Sequence, residues 1–321
     1  MTKDIINRLL NSSEPSVRFK VLVNVLGRKV DSPGIRRLQE RIKSSPRAKL
    51  LLSERGRDGK IACYPYKKWC GAHWTLATLA DIGYPPGDES LVPLREQVYA
   101  WLFSERHQKS IRVIGGRIRR CASQEGNAVF YLLKLGLADD RTEELAERLI
   151  EWQWPDGGWN CDKNPEAAKS SFWESLIPLR ALALHARLTG NQRSKKAAEG
   201  AAEVFLKRRL CKRLRDGKIM QKDFLRLHYP CYWRYDILFG LKVMAEAGFI
   251  NDERCRDALD ILESKRLPDG GFPAECKYYR VSDEAATGRS LVDWGGVSKK
   301  RMNEFVTVDA LYALNQAGRS V

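Results

Sequence analysis

Two kinds of hydrophobic pattern alternate along the chain. One kind is apolar on nearly every side and ends next to a glycine, as in 16–26, which Gly27 follows. Glycine readily adopts the left-handed conformation that closes many helices, so this pattern predicts apolar helices with glycine at their C-terminal ends. The other segments of this kind are 71–82, 124–135, 171–189, 232–247 and 303–317.

More polar segments with a one-sided apolar stripe lie between the apolar ones. In 252–263, Cys255, Leu259 and Leu262 recur at helical spacing while charged residues fill the other positions. No long alternation of β-branched residues indicates a strand, so the pattern predicts an all-α protein. The polar helices are expected at 33–52, 89–103, 141–152, 193–210 and 252–263.

The helices repeat in pairs. A short Asp-Gly turn recurs at Asp58, Asp156, Asp216 and Asp269, and about six helix pairs follow one another at a period of roughly 50 residues. This organisation fits a closed ring, with the apolar helices as an inner barrel and the polar helices as an outer layer. An open superhelix of the HEAT type is the alternative, because hydrophobic pairing alone does not dictate closure.

The residues of three turns carry a family resemblance. Segment 151–160, EWQWPDGGWN, resembles the QW repeat of squalene-hopene cyclases and the related toroid prenyltransferases. Segments 267–272, LPDGGF, and 55–60, RGRDGK, resemble degenerate copies of it. The resemblance covers the chain from about residue 50 onward. It implies an (α/α)6 toroid, with residues 1–321 as one domain and a pocket where the inner helices begin.

The resemblance does not extend to the catalytic motifs of these families. The DxDD motif, whose middle acid protonates an alkene in the cyclases, does not occur, and the Asp, Cys and His that bind zinc in protein prenyltransferases have no evident match. Cys63, Cys70 and His73 have the spacing of half a zinc site, but no second compact pair completes it. We therefore predict no metal site and no cofactor, and we interpret the eight cysteines as free thiols.

The first turns of the apolar segments are unusually polar, and in a toroid they would converge on one space. An unpaired buried carboxylate is costly, so acids in these segments need a partner or a substrate. We take Glu174, Asp236 and Asp309 as candidate catalytic residues; Asp236 and Asp309 lie too far inside their predicted helices for capping to explain them well. The candidate substrate-binding residues are His73, Trp74, Gln124, Glu125, Asn127, Trp173, His228, Tyr232, Trp233 and Glu304.

Structural explanations compete with these assignments. Glu174 and Glu304 also suit first-turn acids that interact with the helix dipole, and Glu125 suits a capping arrangement. The histidines and tryptophans also suit the packed core of a barrel.

Two chemistries fit such a pocket. Aromatic walls with one acid suit an isoprenoid substrate, because aromatic rings stabilise a carbocation and an apolar site raises the pKa of a carboxyl group. Paired carboxylates equally suit a carbohydrate substrate. We expect an enzyme of the terpene cyclase or prenyltransferase type that acts on a small or isoprenoid-like substrate, anionic in one version of the hypothesis. A carbohydrate-active toroid and a non-catalytic ligand- or nucleic-acid-binding protein remain as alternatives.

The chain is strongly basic, and its positive charge is clustered. Lysine and arginine number 56 against 40 aspartate and glutamate, which gives a net charge of +16, and segments 106–120 and 207–218 hold six and seven of these cations. Nucleic acid and an anionic membrane surface are possible partners, but no recognition motif favours them. Because 106–120 leads into an apolar helix, we expect Arg117, Arg119 and Arg120 at the pocket mouth, where they would bind a phosphate or carboxylate.

One long segment differs from the short turns between helices. Segment 277–302 is too long and irregular for a simple connection, and its aromatic residues and Gly-Gly pair predict a docked, lid-like loop.

The sequence also bears on the location of the protein. No stretch reaches the ~20 apolar residues of a membrane span, and the start of the chain has no apolar signal core. We therefore expect a cytoplasmic protein.

Overall fold

A computed structural model describes residues 2–320, and this part of the chain is mostly helical. The all-α class is therefore confirmed. Within the same residues, every helix is too short or too polar to cross a membrane. The α-helices are α1 (Thr2–Leu10), α2 (Pro15–Lys20), α3 (Pro33–Lys43), α4 (Pro46–Leu52), α5 (Ala72–Ile82), α6 (Val92–Leu102), α7 (Glu105–Gln108), α8 (Ser123–Lys134), α9 (Asp140–Glu151), α10 (Phe172–Thr189), α11 (Gln192–Leu206), α12 (Ile237–Ala247), α13 (Arg256–Glu263) and α14 (Glu304–Gln316).

Shorter elements extend or connect these helices. Helix α2 continues directly into a π-helical turn, Val21–Val25. Strands β1 (Arg112–Ile114) and β2 (Arg117–Arg119) form an antiparallel hairpin, and β3 (Arg280–Val281) and β4 (Arg289–Ser290) form a parallel pair. Turns of 3₁₀ helix occupy Glu89–Leu91, Lys222–Leu225 and Glu253–Cys255.

Glycine ends the apolar helices, as the sequence predicts. Gly83 and Gly190 are left-handed C-caps of α5 and α10, with φ of 82° and 74°. A side chain would be strained in this conformation, so glycine fixes where each apolar helix stops. The glycines after the other apolar helices also have positive φ, and they are Gly27, Gly136, Gly248 and Gly318.

The tryptophan-rich turn at 151–160 forms hydrogen bonds to two polar helices, α9 and α11. Gln153 donates from Nε2 to the carbonyl oxygens of Gly157 and Ala197, each at 2.7 Å, and so joins the end of α9 to α11. Trp159 is buried, and its indole N–H donates to a backbone carbonyl of α9 at 2.9 Å. Glycine is needed at 157 because its φ is 100° and a Cβ would lie 2.1 Å from a carbonyl oxygen of α11.

The apolar helices contact one another in chain order. Helix α2 contacts α5, α5 contacts α8, α8 contacts α10, α10 contacts α12, and α12 contacts α14. Helix α14 in turn contacts α2 and its π-helical turn. The polar helices α3, α6, α9, α11 and α13 each contact the apolar helix that precedes them. The apolar helices therefore have neighbours on several sides, which explains why their hydrophobic residues are not confined to one stripe.

Several predicted helices have different bounds in the structure, and local capping explains two of them. Segment 33–52 is divided into α3 and α4, because the Ser45 side chain caps α4 and Pro46 begins it. Helix α12 begins at Ile237 rather than at 232, because Asp236 is its N-cap and accepts a hydrogen bond from an amide of the first turn at 2.7 Å. Capping therefore does explain Asp236, contrary to the prediction that it lies well inside its helix.

Segment 277–302 is docked on the helical body. Trp294 is 1% exposed, and its carbonyl oxygen accepts a hydrogen bond from the Asn303 side chain at 2.8 Å. Trp69, just before α5, donates from Nε1 to the carbonyl oxygen of Tyr278 at 3.0 Å. The predicted docking is thus confirmed, whereas movement of this segment as a lid stays a prediction.

The close approach of α8 and α10 can be tested at Gly126. A Cβ there would lie 2.9 Å from the Pro178 nitrogen, so Gly126→Ala is expected to lower the free energy of unfolding by about 1–3 kcal/mol. Gly34→Ala in α3 is the control, because a Cβ there meets nothing within 4 Å, and it should be neutral or slightly stabilising. Chemical denaturation measures both; a Gly126→Ala protein as stable as wild type would contradict the packing described.

Candidate functional site

A cavity of about 200 Å³ is lined by residues from all six apolar helices. Those lining residues that belong to the apolar helices come from the middle and second half of each, as Asp81, Lys134 and Glu246 illustrate. This cavity therefore opens where the apolar helices end. The resemblance instead implied a pocket where they begin.

A network of buried charges forms part of the cavity wall. Lys20 and Lys242 are 2% and 3% exposed, and the ammonium group of each lies 3.0 Å from a carboxylate oxygen of Asp309. The same two ammonium groups lie 3.1 and 2.8 Å from the oxygens of Asp81. A buried charge without a partner costs several kcal/mol, so each lysine depends on the two aspartates and each aspartate on the two lysines.

Arg180 extends the network to the remaining apolar helices. Its guanidinium donates to Glu246 on α12, with one bond of 2.8 Å, and lies 3.6 Å from Asp81. The same group lies over the ring of Phe130 on α8, 3.8 Å from the ring centroid. Through these contacts the network touches every apolar helix.

The charges of the network set one another's pKa values. Burial alone raises the pKa of the Asp81 carboxyl, but Lys20, Lys242 and Arg180 outweigh burial and hold that pKa well below its usual range. Burial likewise lowers the pKa of Lys242, but Asp309 and Asp81 outweigh it and raise that pKa above its usual value. Asp81 and Lys242 are therefore both ionised at neutral pH.

A second cavity of about 40 Å³ adjoins the first, and Asp81 and Lys242 line both. Two of the predicted binding residues lie here. Asn127 is buried, and its amide nitrogen has no hydrogen-bond partner within residues 2–320; Tyr232 also lines the cavity. The hydroxyl of Tyr229, another lining residue, donates to Asp81 at 2.9 Å, and burial raises the pKa of this tyrosine well above its usual value.

The larger cavity has an excess of positive charge. The three acids of the network are matched by its three cations. Two further cations line the cavity: Lys134 is the last residue of α8, and Arg187 lies in the last turn of α10. Both are exposed, and among residues 2–320 the lining includes no additional acid. The cavity is thus suited electrostatically to an anion.

The three predicted catalytic acids have separate partners. Asp309 belongs to the buried network. Oδ2 of Asp236 lies 2.6 Å from Nδ1 of His228 and accepts the amide hydrogen of the same residue at 2.9 Å. Glu174 lies in the first turn of α10, and its Oε2 accepts the amide hydrogen of Ser123 at 3.1 Å. In these contacts no two of the three acids share a partner.

The arginines predicted at the pocket mouth are engaged elsewhere. Arg119 is buried and donates to three backbone carbonyl oxygens. Arg120 is also buried; it lies 3.0 Å from Oε1 of Glu125 and donates to Gln124 at 2.7 Å. Arg117 lies on β2, with its guanidinium 5.6 Å from the centre of an indole ring. None of the three lines this cavity, and Arg119 and Arg120 already donate several of their N–H groups to the protein itself, so binding of a ligand by these arginines stays a prediction.

Glu125 has a structural explanation. It is fully buried, and its carboxylate lies 2.7 Å from Nε2 of His107. Burial alone raises its pKa, but Arg120 and His107 outweigh burial and lower that pKa. Glu125 and Gln124 therefore anchor the β1–β2 hairpin, through Arg120, to the start of α8.

The predicted residues of α5 belong to the core. Trp74 is fully buried, and so is His73, whose Nδ1 lies 3.2 Å from the hydroxyl of Tyr131. Burial lowers the pKa of His73 to about 3, so this ring is neutral at physiological pH. Tyr232 stacks on Trp69 with ring centroids 4.0 Å apart.

The start of α10 keeps some aromatic surface. Trp173 and Trp233 meet edge to face with centroids 5.6 Å apart, and both are half-buried. The ammonium group of Lys68 lies 4.9 Å from the centroid of Trp233. Glu304, at the start of α14, accepts a hydrogen bond from the hydroxyl of Ser12 at 2.9 Å.

Three side chains of types that bind metals meet near the starts of α8 and α10. Cys121, Cys161 and Glu174 place ligand atoms within 4.8 Å of one another, and both cysteines are free. No sequence motif signals this group, because forty residues separate the two cysteines and the glutamate lies further along the chain. The prediction of no metal site did not anticipate it. The predicted half-site of Cys63, Cys70 and His73 is not such a group in the described residues.

Comparison with known proteins gives no family for the chain: no protein-family model matches it, and no curated protein is significantly similar. The inference of function therefore depends on the geometry of the cavity and on the residues at the helix starts.

The buried network can be tested at Asp309. Asp309→Asn is expected to lower the free energy of unfolding by about 3–5 kcal/mol, because two buried ammonium groups would then share Asp81 as their remaining acid. Glu105→Gln is the control, because it removes an exposed ion pair with Lys109 and should change stability little. Urea denaturation measures both variants. Equal losses in the two would mean that the network does not stabilise the fold.

The lowered pKa of Asp81 predicts that the protein loses stability in acid. Its pKa in the folded protein is held well below the ordinary value of 3.8, so its ionised form stabilises the fold above that pH. This contribution is lost as the pH falls through the folded-state pKa. Asp81→Asn should be less stable than wild type at neutral pH, and the difference should shrink below about pH 4. Denaturation curves across this range test the prediction, and a constant difference would contradict it.

Proposed function

We propose that the six apolar helices form the inner barrel of an (α/α)6 toroid. The contact order supports closure, because each apolar helix contacts the next and α14 contacts α2. The cavity supports it too, since all six helices contribute to one lining. An open superhelix would leave its first and last helices without this contact.

We further propose that the protein binds a small anionic molecule in the larger cavity, as an enzyme of the terpene cyclase or prenyltransferase type. The observation that carries this proposal is the excess of positive charge in a cavity lined by all six apolar helices. Lys134 and Arg187 provide that excess, and both lie at helix ends where a ligand can reach them. A phosphate or diphosphate group suits such donors, because lysine and arginine bind phosphate oxygens through charged hydrogen bonds.

The rest of the ligand is proposed to be apolar. Val23 and Leu184 line the cavity beside the cations. Val30, also in the lining, is 45% exposed, and Leu188 next to Arg187 is 59% exposed. The cavity is smaller than the ~300–1,000 Å³ of typical ligand sites, so an anionic headgroup would fill it while an isoprenoid-like chain extends over this apolar rim.

The network favours the departure of an anion over protonation of an alkene. Asp81 is ionised and paired, so it is a poor proton donor. When the bond between an allylic carbon and its diphosphate oxygen breaks, the electron pair leaves with the diphosphate, and Lys134 and Arg187 would stabilise that negative charge. The ring of Phe19, which also lines the cavity, would stabilise the positive charge left on carbon.

A carbohydrate-active enzyme and a nucleic-acid-binding protein, the two alternatives, have less support. A carbohydrate-active site needs two cooperating carboxylates, and the predicted acids are bound to separate partners. A nucleic-acid surface needs free cations, but in the basic run 207–218 Lys212 pairs with Asp257 and Arg213 with Asp216, the latter at 3.1 Å.

Thermal-shift measurements test the proposal. Farnesyl diphosphate should raise the melting temperature of the wild-type protein, inorganic pyrophosphate should raise it less, and farnesol should have little effect. Lys134→Gln/Arg187→Gln should weaken the binding of farnesyl diphosphate at least tenfold, because two charged hydrogen bonds are each worth about 1.5–3 kcal/mol.

The matched control removes two exposed cations outside the cavity. Lys195→Gln/Lys196→Gln, on α11, changes the net charge by the same amount and should bind like wild type. The C-terminal ends of helices also attract cations through the helix dipole. If Lys134 and Arg187 served only to stabilise their helices in this way, Lys134→Gln/Arg187→Gln would lower the melting temperature of the free protein and leave the ligand-induced shift unchanged. That result would overturn the proposal.

A further inference from the structure

Cys121, Cys161 and Glu174 come from three separate places in the chain. Cys121 lies between β2 and α8, Cys161 follows the tryptophan-rich turn, and Glu174 is in the first turn of α10. Their two sulfurs and a carboxylate oxygen lie within 4.8 Å of one another. All three side chains are partly buried, Glu174 being 9% exposed.

We propose that these three residues bind one Zn²⁺ ion. Tetrahedral zinc with Zn–S bonds of about 2.3 Å and a Zn–O bond of about 2.1 Å separates its ligand atoms by roughly 3.6–3.8 Å. The Sγ atom of Cys161 lies 3.8 Å from Oε1 of Glu174, which matches this separation. The group therefore needs little rearrangement to take up the ion.

The surroundings hold the glutamate in a suitable orientation. Oε2 of Glu174 accepts the amide hydrogen of Ser123 at 3.1 Å, so the carboxylate is fixed from one side while Oε1 points to the thiol of Cys161. Hydrogen bonds of this kind commonly orient a metal ligand. Ser123 begins α8, so the start of this helix positions both the glutamate and, two residues earlier, Cys121.

The donor types favour zinc over a hard cation. Two thiolates are soft ligands, which suit Zn²⁺, whereas Mg²⁺ and Ca²⁺ prefer oxygen alone. Three protein ligands leave a fourth tetrahedral position for water or a substrate atom, which is the pattern of catalytic zinc sites.

The zinc site and the anion-binding cavity are independent. Glu174 and Arg187 lie thirteen residues apart on α10, which corresponds to about 20 Å along a helix. Cys121 likewise lies two residues before α8, and Lys134 is the last residue of that helix. A result at one site therefore does not decide the other.

Cobalt titration of the full chain tests the proposal. Protein purified with a thiol-free reductant and stripped of metal should bind one Co²⁺ per chain, with the absorption bands of tetrahedral cobalt bound to thiolate, and Zn²⁺ should displace it. Cys121→Ser/Cys161→Ser should abolish these bands, and Glu174→Gln should weaken binding at least tenfold.

The control is a second pair of neighbouring thiols. Cys63 and Cys70 interact with each other, but within the part of the chain that the structure describes they form no comparable group with a carboxylate, so Cys63→Ser/Cys70→Ser should bind cobalt like wild type. Absence of the bands from wild type, or their persistence in Cys121→Ser/Cys161→Ser, would overturn the proposal.

A measurement on wild type alone covers the case in which the variants do not fold. Zn²⁺ should protect two cysteines from alkylation in the native protein, and mass spectrometry should identify them as Cys121 and Cys161. Alkylation of these two at the same rate with and without Zn²⁺ would also overturn the proposal.

Discussion

The ion pairs among Lys20, Lys242, Asp81 and Asp309 constrain the whole helical assembly. The four residues come from four helices, and the lysines lie 2.8–3.1 Å from aspartate oxygens in the interior. A shift of one helix by a single turn, about 5.4 Å, would leave at least one buried charge without a partner. Apolar packing alone tolerates such shifts more readily, so the charges fix the register that the hydrophobic residues leave open.

The same network lies between the two ends of the apolar helices, which differ chemically. The apolar helices end around a cavity with surplus cations, and they begin near carboxylates and thiols. This distribution agrees with the helix dipole, because the C-terminal end of a helix attracts cations and the N-terminal end attracts anions. Lys134 and Arg187 occupy the first kind of position, and Glu174 and Asp236 occupy the second. The proposed anion would bind at C-terminal helix ends and the proposed zinc ion at N-terminal helix ends. At each end the helix dipole has the same sign as the ligand, so the side chains supply the opposite charge.

Local patterns predicted the elements well but not the partners of the candidate site residues. The glycines at helix ends, the alternation of apolar and polar helices and the docked loop follow from short-range rules, and the structure has all of them. The site residues depend on neighbours far along the chain. Asp309 was selected as an unexplained acid, and its explanation is two lysines, the nearer of them 67 residues away. Arg119 and Arg120 were selected for their charge, but backbone carbonyls and Glu125 already bind them.

The sequence by itself determined where helices start and stop and which of them are apolar, because capping, glycine conformation and periodicity act within a few residues. Only the tertiary structure decided which charges neutralise one another. It brought Lys20 to Asp309, and Cys121 to Cys161, across separations that no local rule connects. The energy of a buried charge depends on partners within a few ångströms in space, whatever their distance along the chain. That dependence explains why residue types suggested an acid-lined pocket at the helix starts, whereas the folded protein has a cation-rich cavity at the helix ends.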